Sequence, residues 1–130
     1  MSDYSFQREI TEKMVDDFAA LSGDYNPVHM DEAFCREHGM ETRVAHGMLV
    51  LSLVSTLIGM YLPGRGAVWL SQSFDFVNPA RIGDTLAVSG KITGASSDNL
   101  LGRPVYTIAV KVVNQNMDLI VRGKCKVTVK

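Results

Sequence analysis

The sequence predicts an α+β protein in which helices come first and an antiparallel sheet follows. Between residues 11 and 62, the apolar residues either recur at a spacing of three or four or run on continuously, and both patterns favour helices. Beyond Gly66 the apolar residues alternate with polar ones, which is the pattern of half-buried strands. Helices followed by a run of strands indicate an α+β architecture with antiparallel pairing.

Two helices are expected in the first third of the chain. The first covers residues 11–21, with apolar residues at helical spacing, Thr11 as its N-cap and Gly23 just beyond its end. The second begins at Pro27 and runs to about His38. Each is short, so each depends on packing against the rest of the protein for its stability.

The third helix is apolar nearly all round and runs from about His46 to Leu62, where Pro63 and Gly64 end it. A membrane span needs roughly 20 predominantly apolar residues. This segment is shorter, and it contains two serines and a threonine. We therefore expect it to lie against the protein's own sheet, with no membrane as a partner.

Four strands are expected after this helix. They cover residues 68–76, about 86–92, 104–113 and 119–130, with a polar loop over Gly94 to Asn99. In the first strand the apolar residues at positions 68, 70, 74 and 76 are expected to face the core. A short sheet has unpaired edges, so we expect a homodimer that joins edges across a two-fold axis.

Length and composition predict one domain over residues 1–130, large enough to bury a core. The net charge of −1 argues against a nucleic-acid partner, which would need a broad basic surface. Cys35 and Cys125 form neither a CxxC pair nor a zinc-ligand spacing. The N-terminus has no basic segment followed by an apolar run, so no signal peptide is expected. These features predict a cytoplasmic protein with reduced cysteines.

Residues 22–29, Ser-Gly-Asp-Tyr-Asn-Pro-Val-His, place a carboxylate and an imidazole five residues apart. Asn26 and Pro27 are typical of a helix start, because Asn accepts a hydrogen bond from a free N–H and Pro has none to lose. Asp24 then lies in the bend before the helix and His29 in its first turn. The bend can fold the two together as an acid–base pair. The residues alone fit equally well an Asp that caps a turn and a half-exposed His.

No metal site is expected in this stretch. In a calcium loop that starts at Asp24, the sixth residue would be Gly and the twelfth Glu, but the chain has His29 and Cys35 there. His29 with Asp31 and Glu32 could ligate a transition metal. However, the helix dipole favours acidic residues in a first turn, and the ligand spacing of known metal sites is missing.

Gly47 begins the apolar helix, immediately after His46. An N–H group in the first turn has no acceptor within the helix and lies at the positive end of the helix dipole. Aimed into an apolar cavity, the Gly47 N–H can stabilise a developing oxyanion. The alternative is that Gly47 only allows close packing at the start of the helix.

Four segments in order resemble the MaoC-like, (R)-specific enoyl-CoA hydratases. They are residues 22–29, Ala-His-Gly-Met-Leu at 45–49, Leu-Pro-Gly-Arg-Gly at 62–66 and Phe-Val-Asn-Pro-Ala-Arg-Ile-Gly-Asp at 76–84. The resemblance extends over nearly the whole chain, from about Phe18 to Val129. It implies a hot-dog fold, in which an antiparallel sheet wraps around the 46–62 helix. It also implies a dimer with its acyl tunnel near the subunit interface, and a brief N-terminal strand at most.

The same resemblance implies a role for each site residue. Asp24 and His29 match the family's catalytic pair, and Gly47 matches the glycine whose N–H binds the thioester oxygen. Ser55 matches a serine on the central helix that is often counted with the site. The implied reaction is the reversible hydration of a trans-2-enoyl-CoA to an (R)-3-hydroxyacyl-CoA. In it Asp24 accepts a proton from a water that His29 orients, with no metal or redox cofactor and the CoA thioester as substrate.

Other functions remain open at this point. A 3-hydroxyacyl-acyl carrier protein dehydratase runs the same reaction backward on a different thioester. A non-catalytic hot-dog subunit would bind acyl thioesters without turning them over, although the motif of Asp24, His29 and Gly47 is intact. Thioester hydrolysis fits less well, because the Asp-x-Asn-Pro-x-His pattern is not the usual arrangement of hot-dog thioesterases.

Overall fold

The structure, a computed structural model, describes residues 2–96 and 102–130. Its helices are α1 Glu12–Ser22, α2 Pro27–Met30, α3 Glu32–Glu37 and α4 Gly47–Thr56, the last continuing as a π-helical turn at Leu57–Tyr61. Its strands are β1 Tyr4–Glu9, β2 Ala67–Phe76, β3 Thr85–Ser96, β4 Val105–Val113 and β5 Leu119–Val129. They form one antiparallel sheet of order β1-β3-β4-β5-β2, which confirms the α+β prediction.

Helix α1 has the ends that the sequence predicts. The Thr11 hydroxyl accepts a hydrogen bond from the Met14 N–H at 3.1 Å, which satisfies one of the donors that a helix start leaves free. At the other end Gly23 has a φ of 81°, a left-handed conformation that glycine adopts without strain.

The single helix predicted from Pro27 to His38 is wrong, because two short helices, α2 and α3, occupy this segment. Asp31 separates them with an extended backbone, φ −123° and ψ 106°. Its carboxylate accepts a hydrogen bond from the Phe34 N–H at 3.1 Å and so caps α3. A short polar side chain that competes for backbone donors ends one helix and starts the next.

Helix α4 is buried over most, but not all, of its circumference. Its buried residues are Leu49, Val50, Leu51, Leu53 and Val54. One stripe, spaced by four, three and four residues, stays exposed: Met48, Ser52, Ser55 and Gly59. Most of this helix is therefore packed within the protein, and one stripe of it faces outward.

Within residues 2–96 and 102–130 the sheet has five strands, so the count of four obtained from the alternation pattern is wrong. The missed strand, β1, pairs with β3 from Tyr4 opposite Gly90 to Glu9 opposite Thr85. Only two of its six residues, Tyr4 and Phe6, are apolar, so its sequence carries little alternation. Its position is decided by pairing with β3, which lies some eighty residues further along the chain.

A bulge in β2 changes which of its residues face the core. The pairing of β2 with β5 shifts between Trp69 and Ser71. Trp69 and Phe74 pack against the core, whereas Val68 and Leu70 are 37% and 39% exposed. The inward orientation predicted for residues 68 and 70 is therefore wrong, because the extra residue at the bulge reverses the two faces of the strand. Beyond the bulge the predicted face is right: Phe74 packs against the core, and Phe76, two residues further on, pairs with the buried Val121.

The predicted loop over Gly94 to Asn99 is also corrected in part. Residues 94–96 belong to β3, which runs to Ser96. Residues 97–99 lie outside the described part of the chain.

The core lies between α4 with its π-helical turn and the facing side of β3, β4 and β5. Its members from the sheet include Val88, Ile108, Val121 and Val127. Gly90 allows close approach here, since a Cβ at that position would lie 2.8 Å from a methyl carbon of Leu57. None of the helices in the described residues is long and apolar enough to cross a membrane.

Candidate active site

The bend between α1 and α2 is built by short polar side chains that bond to nearby backbone groups. The Ser22 hydroxyl accepts from the Asp24 N–H at 3.2 Å, and Asp24 Oδ1 accepts from the Asn26 N–H at 3.1 Å. Asn26 Oδ1 in turn accepts from the Val28 N–H at 3.2 Å and caps α2. With Oδ1 of Asp24 used within the bend, the other carboxylate oxygen, Oδ2, is left to face His29.

His29 is fixed by a hydrogen bond to a distant part of the chain. Its Nδ1 lies 2.7 Å from the carbonyl oxygen of Val44. A carbonyl only accepts, so Nδ1 carries the proton and donates it. In the neutral ring Nε2 then has a free lone pair. That nitrogen lies 3.8 Å from Asp24 Oδ2.

The Asp24–His29 pair combines an accessible carboxylate with a buried imidazole. The side chain of Asp24 is 52% exposed and that of His29 is 13% exposed. The 3.8 Å between Oδ2 and Nε2 is too long for a direct hydrogen bond. It is short enough for one water to bond to both atoms. The two acceptors are therefore spaced so that one water could donate a hydrogen bond to each of them.

His46, the N-cap residue of α4, completes the cluster. The sequence drew attention to it together with Gly47 but indicated no role for its side chain. Its Nε2 lies 3.0 Å from the Asp24 carbonyl oxygen, and its ring stacks on the His29 ring with centroids 3.9 Å apart. Its only sequence signal is its place immediately before Gly47. That signal does not indicate contact with residues some twenty positions earlier.

Arg43 is a second residue that the sequence pattern did not indicate, since it lies between the predicted helices. Its side chain is buried, and its Nε donates to the His29 carbonyl at 2.5 Å. Its two Nη atoms donate to Glu12, at 3.1 Å, and to Asp16. Arg43 thus links α1 to the backbone that carries His29.

Gly47 opens a cleft beside this cluster. The cleft has a volume of about 340 Å³ and is lined by Gly47, Val50, Ile120 and the segment 76–80, together with Ala45. A Cβ added to Gly47 would lie 2.9 Å from Cε1 of Phe76. The first-turn N–H of Gly47 and the lack of a side chain together leave a hydrogen-bond donor at a mostly apolar cavity.

Ser55 is not brought together with the other predicted site residues. It belongs to the exposed stripe of α4, about 12 Å along the axis from Gly47 at 1.5 Å per residue. Its role in the site remains a prediction.

Asp24, His29 and His46 also form the kind of cluster that can hold a metal ion, with one candidate ligand atom from each residue within 4.8 Å of the others. The two imidazole planes lie only 27° apart in a stack, however. A metal lies in the plane of each imidazole that binds it, and stacked rings cannot both point a lone pair at one ion. His46 Nε2 is also engaged with the Asp24 carbonyl. The geometry favours a stacked hydrogen-bonding group over a ligand set.

Neither cysteine provides a nucleophile, because both are buried. Burial raises the pKa of the Cys125 thiol to about 11. Burial, followed by the nearby carboxylates of Glu32 and Asp31, raises the pKa of the Cys35 thiol above its ordinary value. Both thiols stay protonated near neutral pH, and a protonated buried thiol is unreactive.

The fold defines a class of protein: a hot-dog domain, here with Asp24, His29 and His46 clustered beside the start of the central helix. The family model described as MaoC like domain matches residues 2–121. The chain therefore belongs to the MaoC-like domain family.

Named relatives and solved structures agree with this family. The (R)-specific enoyl-CoA hydratase of Aeromonas caviae is 38% identical over 110 residues, which are 85% of this chain and 79% of that protein. The solved structure described as (R)-hydratase from A. caviae involved in PHA biosynthesis has a TM-score of 0.90 and 34% identity, and the match covers 98% of this chain and 93% of that one. The mitochondrial 3-hydroxyacyl-[acyl-carrier-protein] dehydratase of Arabidopsis thaliana is 44% identical over 69 residues, 53% of this chain and 40% of that protein.

Proposed function

We propose that this protein catalyses the reversible, (R)-specific hydration of trans-2-enoyl-CoA to (R)-3-hydroxyacyl-CoA, as a hydro-lyase. The observation that carries the proposal is the 3.8 Å approach of Asp24 Oδ2 and His29 Nε2 at the start of α4. The (R)-specific enoyl-CoA hydratase of A. caviae, similar over 85% of this chain, supports the choice of substrate and stereochemistry.

The proposed reaction adds the elements of water across the C2–C3 double bond. The water held by Asp24 and His29 forms its O–C3 bond and passes a proton to this pair, while C2 takes up a proton from the pair. The two residues end in the protonation states in which they began. General acid–base catalysis by positioned side chains is typically worth about 10²–10⁴-fold.

During the addition, negative charge builds up on the thioester oxygen. The Gly47 N–H would donate to that oxygen at the cleft, with the helix dipole behind it. The reaction transfers a proton and a hydroxyl and no electrons, so we propose that it needs no cofactor, with the CoA thioester as substrate.

Asp24→Asn and His29→Gln test this proposal. Each is expected to lower turnover of crotonyl-CoA by roughly 10²–10⁴-fold, because each removes one group that holds or deprotonates the water. Turnover is measured from the ultraviolet absorbance lost as the enoyl double bond is hydrated. Asp17→Asn and His38→Gln make the same chemical changes at exposed positions of α1 and α3 and are expected to keep wild-type turnover. Near-wild-type turnover by either site variant would contradict the assignment.

A carrier-protein thioester is the second candidate substrate, because a 3-hydroxyacyl-[acyl-carrier-protein] dehydratase is 44% identical over half of this chain. The chemistry is the same reaction in reverse, so the acid–base pair serves both. Turnover of the same acyl group on CoA and on carrier protein separates the two. A kcat/KM that is higher on the carrier protein would assign the dehydratase role.

We also propose a homodimer, located in the cytoplasm. Strand β2 is at an edge of the described sheet, and its Val68 and Leu70 are partly exposed. The exposed stripe of α4 adds Met48, which is 58% exposed. A second copy that pairs edge to edge with β2 would cover these apolar side chains. Ser55 belongs to the same exposed stripe. We therefore propose that its predicted role as a site residue depends on the dimer, in which the second copy would cover that stripe.

A further inference from the structure

We propose that His46 is a positioning residue for this reaction, one that fixes both Asp24 and His29 without touching the substrate. The inference rests on the proposed function, because it assigns the machinery that holds the same acid–base pair. It goes beyond that function because His46 makes two separate contacts, one with each member of the pair.

The first contact fixes the backbone of Asp24. His46 Nε2 lies 3.0 Å from the Asp24 carbonyl oxygen, and since a carbonyl only accepts, Nε2 is the donor. Asp24 lies in an exposed bend, whereas His46 is 2% exposed and sits at the N-cap of α4. Surface bends are generally more mobile than the helices they connect. The hydrogen bond therefore anchors the bend that carries Asp24 to the N-terminal end of the central helix.

The second contact fixes the plane of His29. The His46 and His29 rings are stacked with centroids 3.9 Å apart and an interplanar angle of 27°. Phe18 packs on His46 in turn, at a centroid distance of 4.8 Å. With Nδ1 of His29 bonded to the Val44 carbonyl, the stack holds the ring in the plane that directs Nε2 toward Asp24.

The remaining ring nitrogen of His46 indicates that this residue does more than occupy space in the core. Its Nδ1 is buried and has no hydrogen-bond partner among the residues that the structure describes. A buried polar atom without a partner destabilises the folded state, and an apolar ring in this space would not carry that cost. What an apolar ring lacks is the Nε2–H that Asp24 uses. We therefore infer that the role of the His46 side chain is to supply the Nε2–H donor to the Asp24 carbonyl.

Two variants separate the two contacts. His46→Phe keeps a flat ring for the stack and loses the donor, and His46→Gln keeps an N–H donor and loses the stack. For each we expect the kcat for crotonyl-CoA to fall roughly ten- to a hundredfold, because small misplacements of a catalytic group have effects of this size. The KM is expected to stay near the wild-type value, since His46 does not contact the substrate. The melting temperature of His46→Phe is expected to equal or exceed that of the wild type.

His38 supplies the matched control. It stacks on Phe34 with centroids 4.0 Å apart, and its Nδ1 lies 2.8 Å from the Phe34 carbonyl, so it has both kinds of contact outside the site. His38→Phe and His38→Gln are expected to leave kcat unchanged. If folded His46 variants have wild-type kcat and only a lower melting temperature, His46 is structural and the proposal is overturned. If one variant does not fold, the other decides by the same criterion.

A readout independent of turnover distinguishes this proposal from the proposed function. The ring NMR signals of His29 are expected to shift in both His46 variants and to stay in place in both His38 variants, because only the His46 changes disturb the stack or the bend. Unchanged His29 signals in the His46 variants would overturn the positioning role. If the wild-type protein does not hydrate crotonyl-CoA but the His29 signals shift in the His46 variants, the proposed function is contradicted and the positioning role is supported.

Discussion

At Gly47 the missing side chain allows the ring of Phe76 to lie directly against the first turn of α4. A Cβ there would come within 2.9 Å of Cε1 of that ring. The Phe76 side chain is 53% exposed, so the ring can swing away and the fold can accommodate the methyl group. The cleft in front of the Gly47 N–H would narrow all the same.

We therefore predict that Gly47→Ala leaves a folded protein but lowers kcat/KM for crotonyl-CoA roughly ten- to a hundredfold, because the thioester is displaced from the N–H. The measurement is steady-state turnover together with thermal unfolding. Adding Phe76→Ala in the same chain removes the ring that the methyl group meets, and part of the activity is expected to return.

Gly94→Ala is the control for this prediction. It lies in β3, and no atom lies within 4 Å of a Cβ built there, so it is expected to keep wild-type kcat/KM. Wild-type activity in Gly47→Ala would mean that the substrate does not approach this N–H.

Among the secondary-structure elements, α1 and α2 are held together by Arg43. The guanidinium donates to Glu12 and Asp16 on α1 and to the His29 carbonyl on α2. Its side chain is 6% exposed, while the two carboxylates are largely exposed. A planar guanidinium donates from three separate nitrogens in fixed directions, whereas the three donors of a lysine ammonium share a single nitrogen.

Arg43→Lys is expected to lower the free energy of unfolding by about 1–3 kcal/mol, the usual range for a lost hydrogen bond that involves a charged group. Chemical denaturation measures it. The matched control is Arg36→Lys, because Arg36 is exposed and its pair with Glu32 is 4.0 Å long. That control is expected to change the free energy by less than about 0.5 kcal/mol. Equal free energies of unfolding for the two variants would show that the three hydrogen bonds of Arg43 make no net contribution to stability.

At the scale of the whole molecule, partly exposed apolar side chains gather along β2 and the exposed stripe of α4. They include Met48, Val68, Leu70 and Phe76. The unpaired edge of β2 runs through the same region of the described sheet. An open edge with apolar neighbours favours pairing with another chain, which is the physical basis for the proposed homodimer.

Leu70→Asp is predicted to convert the proposed dimer to a monomer, because it buries a charge where the two edges would meet. Light scattering after size-exclusion chromatography gives the mass in solution. Leu21→Asp places the same charge on α1, where the side chain is 83% exposed, and is expected to remain dimeric. A wild-type protein that runs as a monomer at all concentrations would contradict the dimer.

The sequence by itself determined those features whose cause lies within a few residues. Thr11 and Gly23 bound α1 as predicted, and Asn26 with Pro27 starts α2, because caps act on backbone groups two or three positions away. The period-two alternation located the later strands. The spacing from Asp24 to His29 allowed an acid–base pair, but the residues alone fitted a turn Asp and a half-exposed His equally well. The break at Asp31 is equally local, but a capping Asp and an ordinary first-turn Asp look the same in sequence.

Only the tertiary structure decided which distant groups meet. β1 became visible through its pairing with β3, and the bulge at Trp69 reversed the predicted face of part of β2. In the site, the Val44 carbonyl sets the tautomer of His29, and His46 reaches back to Asp24. The physical reason is that a hydrogen bond or a ring stack depends on separation in space. No periodicity in the chain records that residues some twenty positions apart will be brought together by the packing of α4 against the sheet.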